Sequence, residues 1–389
     1  MTIELPFPIN RLSPVSDPTK SSPIRKVMKM IEQSDDLISL AAGEAKFSPP
    51  PQLIEAACTA MKTGKNVYTT TAGIPPIRAA LSQFIESKFG ARIDPDTNIL
   101  VTVGGMEAIY LAARVLLRAG DKVLLPDPGW GVMIPVVEKC GARAEFYPQV
   151  ETQTWTIDHS KILERMDTQT KLIVINSPSN PTGAMLSQDG FTKVMEKARE
   201  MGIFVMSDEV YHNFVFDGCH VSALQFSTLD NLIVINSFSK TYAVTGWRIG
   251  YAVAHEWIIQ QMVMYKESTS LCSFSIGQWA LADYINSSQN YLDKVTDLCR
   301  RNMEMIVQRL SAIPGVHCSP AQGGFYLFPD FSKIEPSSEK IFARLLEHGV
   351  AVIPGKFFGS QGEGRVRIMF AADTEYIDKA VGRIEAAFM

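Results

Sequence analysis

The sequence predicts an α/β fold, a mostly parallel sheet flanked by helices and joined to a smaller α+β domain. Three observations carry that reading. From Asn98 onward, short apolar or β-branched runs alternate with amphipathic stretches, which is the rhythm of βαβ units. The runs are apolar throughout, as in Leu232-Ile233-Val234-Ile235-Asn236, so they read as strands buried on both faces. Past about residue 280 the alternation gives way to a long helical pattern over residues 291–310, then to scattered strands and helices.

In chain order, residues 1–47 are rich in proline and polar side chains, with a short helical pattern over 24–31. They read as an N-terminal arm and part of the small domain. Residues 48–285 form the large domain and 286–389 the small C-terminal one. A glycine turn around Gly43 runs into Pro49 and Pro50, which start a helix near Gln52. Strands are expected at 99–103, 122–125, 171–176, 203–207 and 232–236, with helices over 107–118 and 190–201. Residues 246–253 read as a further strand running against the others. The small domain contributes strands at 324–328 and 366–370 and helices at 340–347 and 376–388.

Composition narrows the function classes. The chain has 389 residues, 46% hydrophobic and 20% charged, enough for a sizeable core. A net charge of −4 leaves no basic footprint for nucleic acid. No apolar run is long enough to cross a bilayer, so no membrane role is expected. The N-terminus has no basic region followed by an apolar core, so no signal peptide is expected. Six scattered cysteines without a C-x-x-C pair argue against zinc and a disulfide framework. They point to buried free thiols and a cytoplasmic protein. No G-x-G-x-x-G opens a βαβ unit, which disfavours a nicotinamide dehydrogenase.

The chemistry gathers at strand ends, where ligands of open α/β sheets bind. Ser237-Phe238-Ser239-Lys240 and Thr245-Gly246-Trp247-Arg248 follow the 232–236 strand. The hydroxyls of Ser237 and Ser239 and the Arg248 guanidinium suit a phosphate. Lys240 is either a second phosphate charge or a covalent amine. Asn176-Ser177-Pro178-Ser179-Asn180-Pro181-Thr182-Gly183 and Ser207-Asp208-Glu209-Val210-Tyr211 end two further strands. Asn180 between prolines is a rigid donor, and Asp208 is either a helix cap or a partner for a ring nitrogen. Gly104-Gly105-Met106 opens a helix whose free N–H groups also suit phosphate.

These motifs, in this order, resemble the class I/II pyridoxal-phosphate-dependent aminotransferases over essentially the whole chain. The resemblance implies fold type I, with a seven-stranded sheet in the large domain. It implies pyridoxal 5'-phosphate held as an aldimine on Lys240, which shuttles an amino group between an L-amino acid and a 2-oxo acid. Asn180 and Tyr211 would then contact the cofactor's 3′-oxygen and Asp208 its pyridine nitrogen. Ser237, Ser239, Arg248 and the backbone of Gly105 and Met106 would hold the phosphate, and Trp130 would stack on the ring. Arg367 would grip the substrate carboxylate with help from Gly43 and Asn180. Arg365 shares that strand face by period, and only the family register favours Arg367. Tyr68, in Y-x-x-x-x-G-x-x-x-I-R, would reach the phosphate of the neighbouring subunit, implying a homodimer with shared sites. Met106 stands where some aspartate-specific bacterial members carry lysine, so a dicarboxylic substrate finds no support there. Elimination, replacement or cyclising chemistry on the same cofactor shell is the alternative.

Overall fold

The computed structural model describes residues 36–226 and 228–389, so the helical pattern at 24–31 and most of the arm lie outside the described residues. The main sheet has seven strands: β1 Ile99–Thr102, β2 Lys122–Asp127, β3 Arg143–Pro148, β4 Thr170–Asn176, β5 Phe204–Asp208, β6 Leu232–Ser237 and β7 Gly250–Ala254. Their order is β1-β7-β6-β5-β4-β2-β3. Every neighbouring pair from β6 to β3 is parallel, and β7 runs antiparallel to both β6 and β1.

Alternate residues of the central strands feed two cores. Ile173, Ile175, Val205, Val234, Tyr251 and Val253 join one cluster, with the helices Pro51–Lys62, Pro75–Phe89, Gln188–Glu200 and Ser275–Tyr284. Leu172, Val174, Met206, Ile233, Ile235 and Ala252 join the other, against Gly104–Leu116, Met133–Lys139 and Glu256–Glu267. Side chains of a strand alternate between faces, so a sheet covered twice demands continuous apolar runs. Strand β3 was not expected from sequence. It is an edge strand of mixed polarity, Arg-Ala-Glu-Phe-Tyr-Pro, in which Tyr147 alone is fully buried.

A third cluster surrounds the strand Val366–Met369, paired antiparallel with Tyr326–Leu327 and Ile353–Pro354. The helices Ser338–Glu347 and Thr374–Phe388 cover it, and Ile38 and Leu40 pack into it. Ile38–Ser39 also forms a short parallel ladder with Val350–Ala351. The helix Gln289–Ser311 links the clusters, with Leu292 in the first and Val295, Cys299 and Met303 in the third. Of the six cysteines, Cys140, Cys299 and Cys318 are buried, whereas Cys58 and Cys219 are exposed and Cys272 is half-buried; all are free. Burial of the thiols is therefore only partial. No helix among the described residues is long and apolar enough to cross a membrane.

The register of the parallel strands brings their carboxyl ends level. Asn176 pairs with Asp208, and Asp208 with Ile235, two residues before the end of β6. The antiparallel β7 delivers Gly250 under the start of the helix Gly104–Leu116. A Cβ there would come within 2.7 Å of the Gly105 nitrogen and of the Asn236 oxygen, both backbone. Gly250→Ala is therefore expected to lower stability by about 1–3 kcal/mol through overpacking. Chemical denaturation checks this, and an unchanged midpoint would contradict it.

Candidate active site

The residues at and just past the carboxyl ends of β4, β5 and β6 line one cavity of about 400 Å³. Gly43, Gly105, Met106, Trp130, Asn180, Asp208, Tyr211, Ser237, Ser239, Lys240, Arg248 and Arg367 all line it. Tyr68 does not. The residue is 84% exposed, outside the cavity of its own chain.

Lys240 sits in the one-turn helix Phe238–Thr241, which begins where β6 ends. Ser237 caps that turn, its Oγ accepting from the Ser239 N–H at 3.2 Å. The Lys240 Nζ donates to the Gly43 carbonyl. Burial lowers the Lys240 pKa to about 8, helped by the Arg367 and Arg248 cations and opposed by Glu44 and Asp208. An amine so placed is partly neutral near physiological pH, as a nucleophile or proton carrier must be.

Asp208 lies at the end of β5, next to β6 in the sheet. Desolvation pushes its carboxyl up to about 7 and the adjacent Glu209 adds to this, while the Val210 N–H, 3.3 Å away, and Lys240 act against it. The Val210 contact is long, so a cationic or N–H partner in the cavity would restore the ionised form. Tyr211 lies beside it, its hydroxyl donating to that of Tyr326 at 3.3 Å. Burial raises the pKa of both phenols.

At one end, the helix start meets the arginine loop. Gly104 has a φ of 73°, and an added Cβ would come 2.5 Å from the Arg248 Nη2. Only glycine permits that approach. Arg248 itself is left-handed, with a φ of 54°, and its Nη1 donates to the Thr245 carbonyl at 2.9 Å. A Cβ on Gly105 would meet the Ser237 Cβ at 3.7 Å, so the helix N-terminus, both serines and the guanidinium share one corner. The Ser239 Oγ is buried there without a hydrogen-bond partner.

At the other end, Arg367 is buried. Its Nη1 donates to Asn180 Oδ1 at 3.0 Å and its Nη2 to the Ala41 carbonyl at 2.6 Å, while its Nε has no partner. Its guanidinium lies over the Tyr326 ring, 4.3 Å from the centroid. Arg365 is occupied elsewhere. It binds Glu151 at 2.6 Å and Asp330 at 2.9 Å and does not line the cavity. Strand period left these two arginines equivalent, and their partners in space separate them.

Buried Gln149 braces two of the loops. It donates to the Pro128 carbonyl at 2.7 Å and to Ser179 Oγ at 2.8 Å, and accepts from Thr182 at 2.6 Å. The turn carrying Trp130 is thereby tied to the turn carrying Asn180. Asn176 Oδ1 accepts from the Asn180 N–H at 2.7 Å. Asn176, Tyr326, Thr245 and Glu44 also line the cavity, although sequence reading singled out none of them. A polar residue ending an apolar run was a usable sign for Asn176. Tyr326 lies in a two-residue strand that carries no such sign.

One cavity thus offers a corner for a phosphate, a carboxylate, an amine of lowered pKa and a buried guanidinium. The sequence profile of the family described as aminotransferase class I and II matches residues 35–384. The chain is 35% identical over 378 residues to an aspartate aminotransferase of Pyrococcus horikoshii, covering 95% of each. It is 31% identical to the aromatic-amino-acid aminotransferase 2 of Thermococcus litoralis, over 94% of this chain and 95% of the relative. Among solved structures it is similar to a Thermus thermophilus aspartate aminotransferase tetra mutant complexed with tryptophan, with TM-score 0.91, 30% identity and coverage of 97% and 99%. It is also similar to the N-succinyldiaminopimelate aminotransferase of Mycobacterium tuberculosis, with TM-score 0.91, 28% identity and coverage of 95% and 98%. The fold, the cavity and these matches along nearly the whole chain make this protein a member of the class I and II aminotransferases, an enzyme of transamination on the type I fold.

Proposed function

We propose that the enzyme uses pyridoxal 5'-phosphate bound through Lys240 to move an amino group between an L-amino acid and a 2-oxo acid. The observation that carries this reading is the position of the Lys240 amine, which shares one cavity with a buried Asp208 carboxylate and a buried Arg367 guanidinium. The residues fit the cofactor. Ser239 Oγ and Arg367 Nε are buried donors without partners, and Asp208 has only a long backbone contact. When bound, the cofactor's pyridine ring supplies the electron sink for the pair left on Cα as its proton departs.

The chain's own residues do the rest. Ser237, Ser239, Arg248 and the N–H groups of Gly105 and Met106 hold the phosphate. Trp130 covers one ring face, and Asn180 and Tyr211 bind the ring oxygen. Asp208 keeps a proton on the ring nitrogen, and the ion pair so made offsets the desolvation that raises its pKa in the free chain. Arg367 grips the substrate α-carboxylate, so that the Cα proton stands within reach of Lys240. Lys240, freed as the substrate amine takes its place, would then take that proton from Cα as a neutral amine and deliver it to the cofactor carbon C4′. We further assign Tyr68 to the phosphate of a neighbouring subunit, in a cytoplasmic homodimer with shared sites. Its exposure in the single chain supports that assignment.

Lys240→Ala is expected to cut transamination by at least about 100-fold while leaving the fold intact. Steady-state assay with an amino donor and a 2-oxo acid tests this, and near-normal turnover would sink the reading. Arg367→Lys keeps the charge but loses the planar fork and its bonds to Asn180 and Ala41. We expect kcat/KM to fall about 10- to 100-fold, measured with saturating cofactor. An unaltered kcat/KM would remove Arg367 from substrate binding.

A further inference from the structure

The helix Gly104–Leu116 carries an acidic residue, Glu107, within its first turn. Glu107 Oε2 accepts from the Val103 N–H at 2.6 Å, closing the helix start from within. A carboxylate there suits the helix dipole. The same helix N-terminus carries Gly105 and Met106, whose N–H groups are assigned above to a phosphate. Two anions thus compete for one positive end, and the Glu107 carboxylate, its side chain only 13% exposed, is weakly screened there.

Lys266 resolves the conflict. It lies in the helix Glu256–Glu267, its side chain is 0% exposed, and its Nζ donates to Glu107 Oε2 at 2.7 Å and to Ser270 Oγ at 2.8 Å. Ser270 in turn donates to Glu107 Oε1, and the N–H groups of Ser270 and Leu271 return to the Lys266 carbonyl at 3.1 and 3.0 Å. Neither Lys266 nor Glu107 lines the cavity. An ion pair whose lysine is fully buried adds little net stability over well-packed apolar residues, so its placement behind the helix start calls for another account.

We infer that Lys266 is a positioning residue for the cofactor phosphate: it neutralises Glu107, so that one helix N-terminus serves an internal carboxylate and an external phosphate together. The inference rests on the pyridoxal-phosphate reading above. Removing the cation alone leaves an uncompensated carboxylate behind the phosphate site. Removing both charges restores the balance, because the side-chain amide that Glu107→Gln introduces still accepts from the Val103 N–H.

The test titrates the full chain, depleted of cofactor by dialysis, with pyridoxal phosphate and separately with pyridoxal, which lacks the phosphate. Absorbance of the bound chromophore gives each Kd, and thermal melting checks the fold. Lys266→Met is expected to weaken pyridoxal phosphate by at least about tenfold and pyridoxal by less than about threefold. Glu107→Gln combined with Lys266→Met is expected to bind pyridoxal phosphate within about threefold of wild type, and Glu107→Gln alone, which keeps the cation, at least as tightly as wild type. A Lys266→Met loss below tenfold, an equal loss for pyridoxal, or a double variant as weak as Lys266→Met would overturn the inference. If Lys266→Met does not fold, the double variant decides by the same threefold criterion. Failure of the wild-type chain to bind pyridoxal phosphate would instead overturn the cofactor reading itself.

Discussion

Charged groups held out of water in one cavity set the terms for the whole architecture. Lys240 and Asp208 are both pushed toward their neutral forms, mainly by burial, to pKa values of about 8 and about 7. Arg367 is buried with an unpartnered Nε. Burying such groups costs free energy that a folded chain must recover elsewhere. The recovery lies in the two apolar layers on the main sheet, where alternate side chains of β4, β5, β6 and β7 are almost wholly removed from water. Polar groups are tolerated where strands end, so the chemistry collects there.

Holding those groups apart matters as much as burying them. If Arg367 were free to reach Asp208, the two would pair and neither would be available to a ligand. Asn180 and the Ala41 carbonyl keep the guanidinium at one end. Gln149 locks the turn of Asn180 to that of Trp130. At the opposite corner, Gly104 and Gly250 let backbone and guanidinium approach more closely than any side chain would permit. The cavity is therefore preorganised by groups that do not themselves react.

Much of this was legible in the sequence, for physical reasons. The central strands announced themselves because burial on both faces requires unbroken apolar runs, and β7 was correctly expected to run against its neighbours. The edge strand β3 was not legible, because one-sided exposure leaves Arg143 and Glu145 in its pattern. Lys240, Asp208 and Asn180 stood out as polar residues directly after apolar strands. Tyr326 did not, because its place in the cavity depends on packing between distant segments. Arg365 and Arg367 shared a period and differ only by neighbours from other parts of the chain, Glu151 and Asp330 for one and Asn180 and Ala41 for the other. Lys266 and Glu107, 159 residues apart, gave no linear sign of their pairing.

A single half-reaction tests whether the Lys240 cavity carries out transamination. The purified enzyme loaded with pyridoxal phosphate is mixed with a panel of L-amino acids, without any 2-oxo acid, while its absorbance is followed. At least one amino acid is expected to convert the bound chromophore to its aminated form, releasing one 2-oxo acid per cofactor and then stopping. Continued turnover with release of ammonia or a leaving group, or no chromophore bound at all, would contradict it.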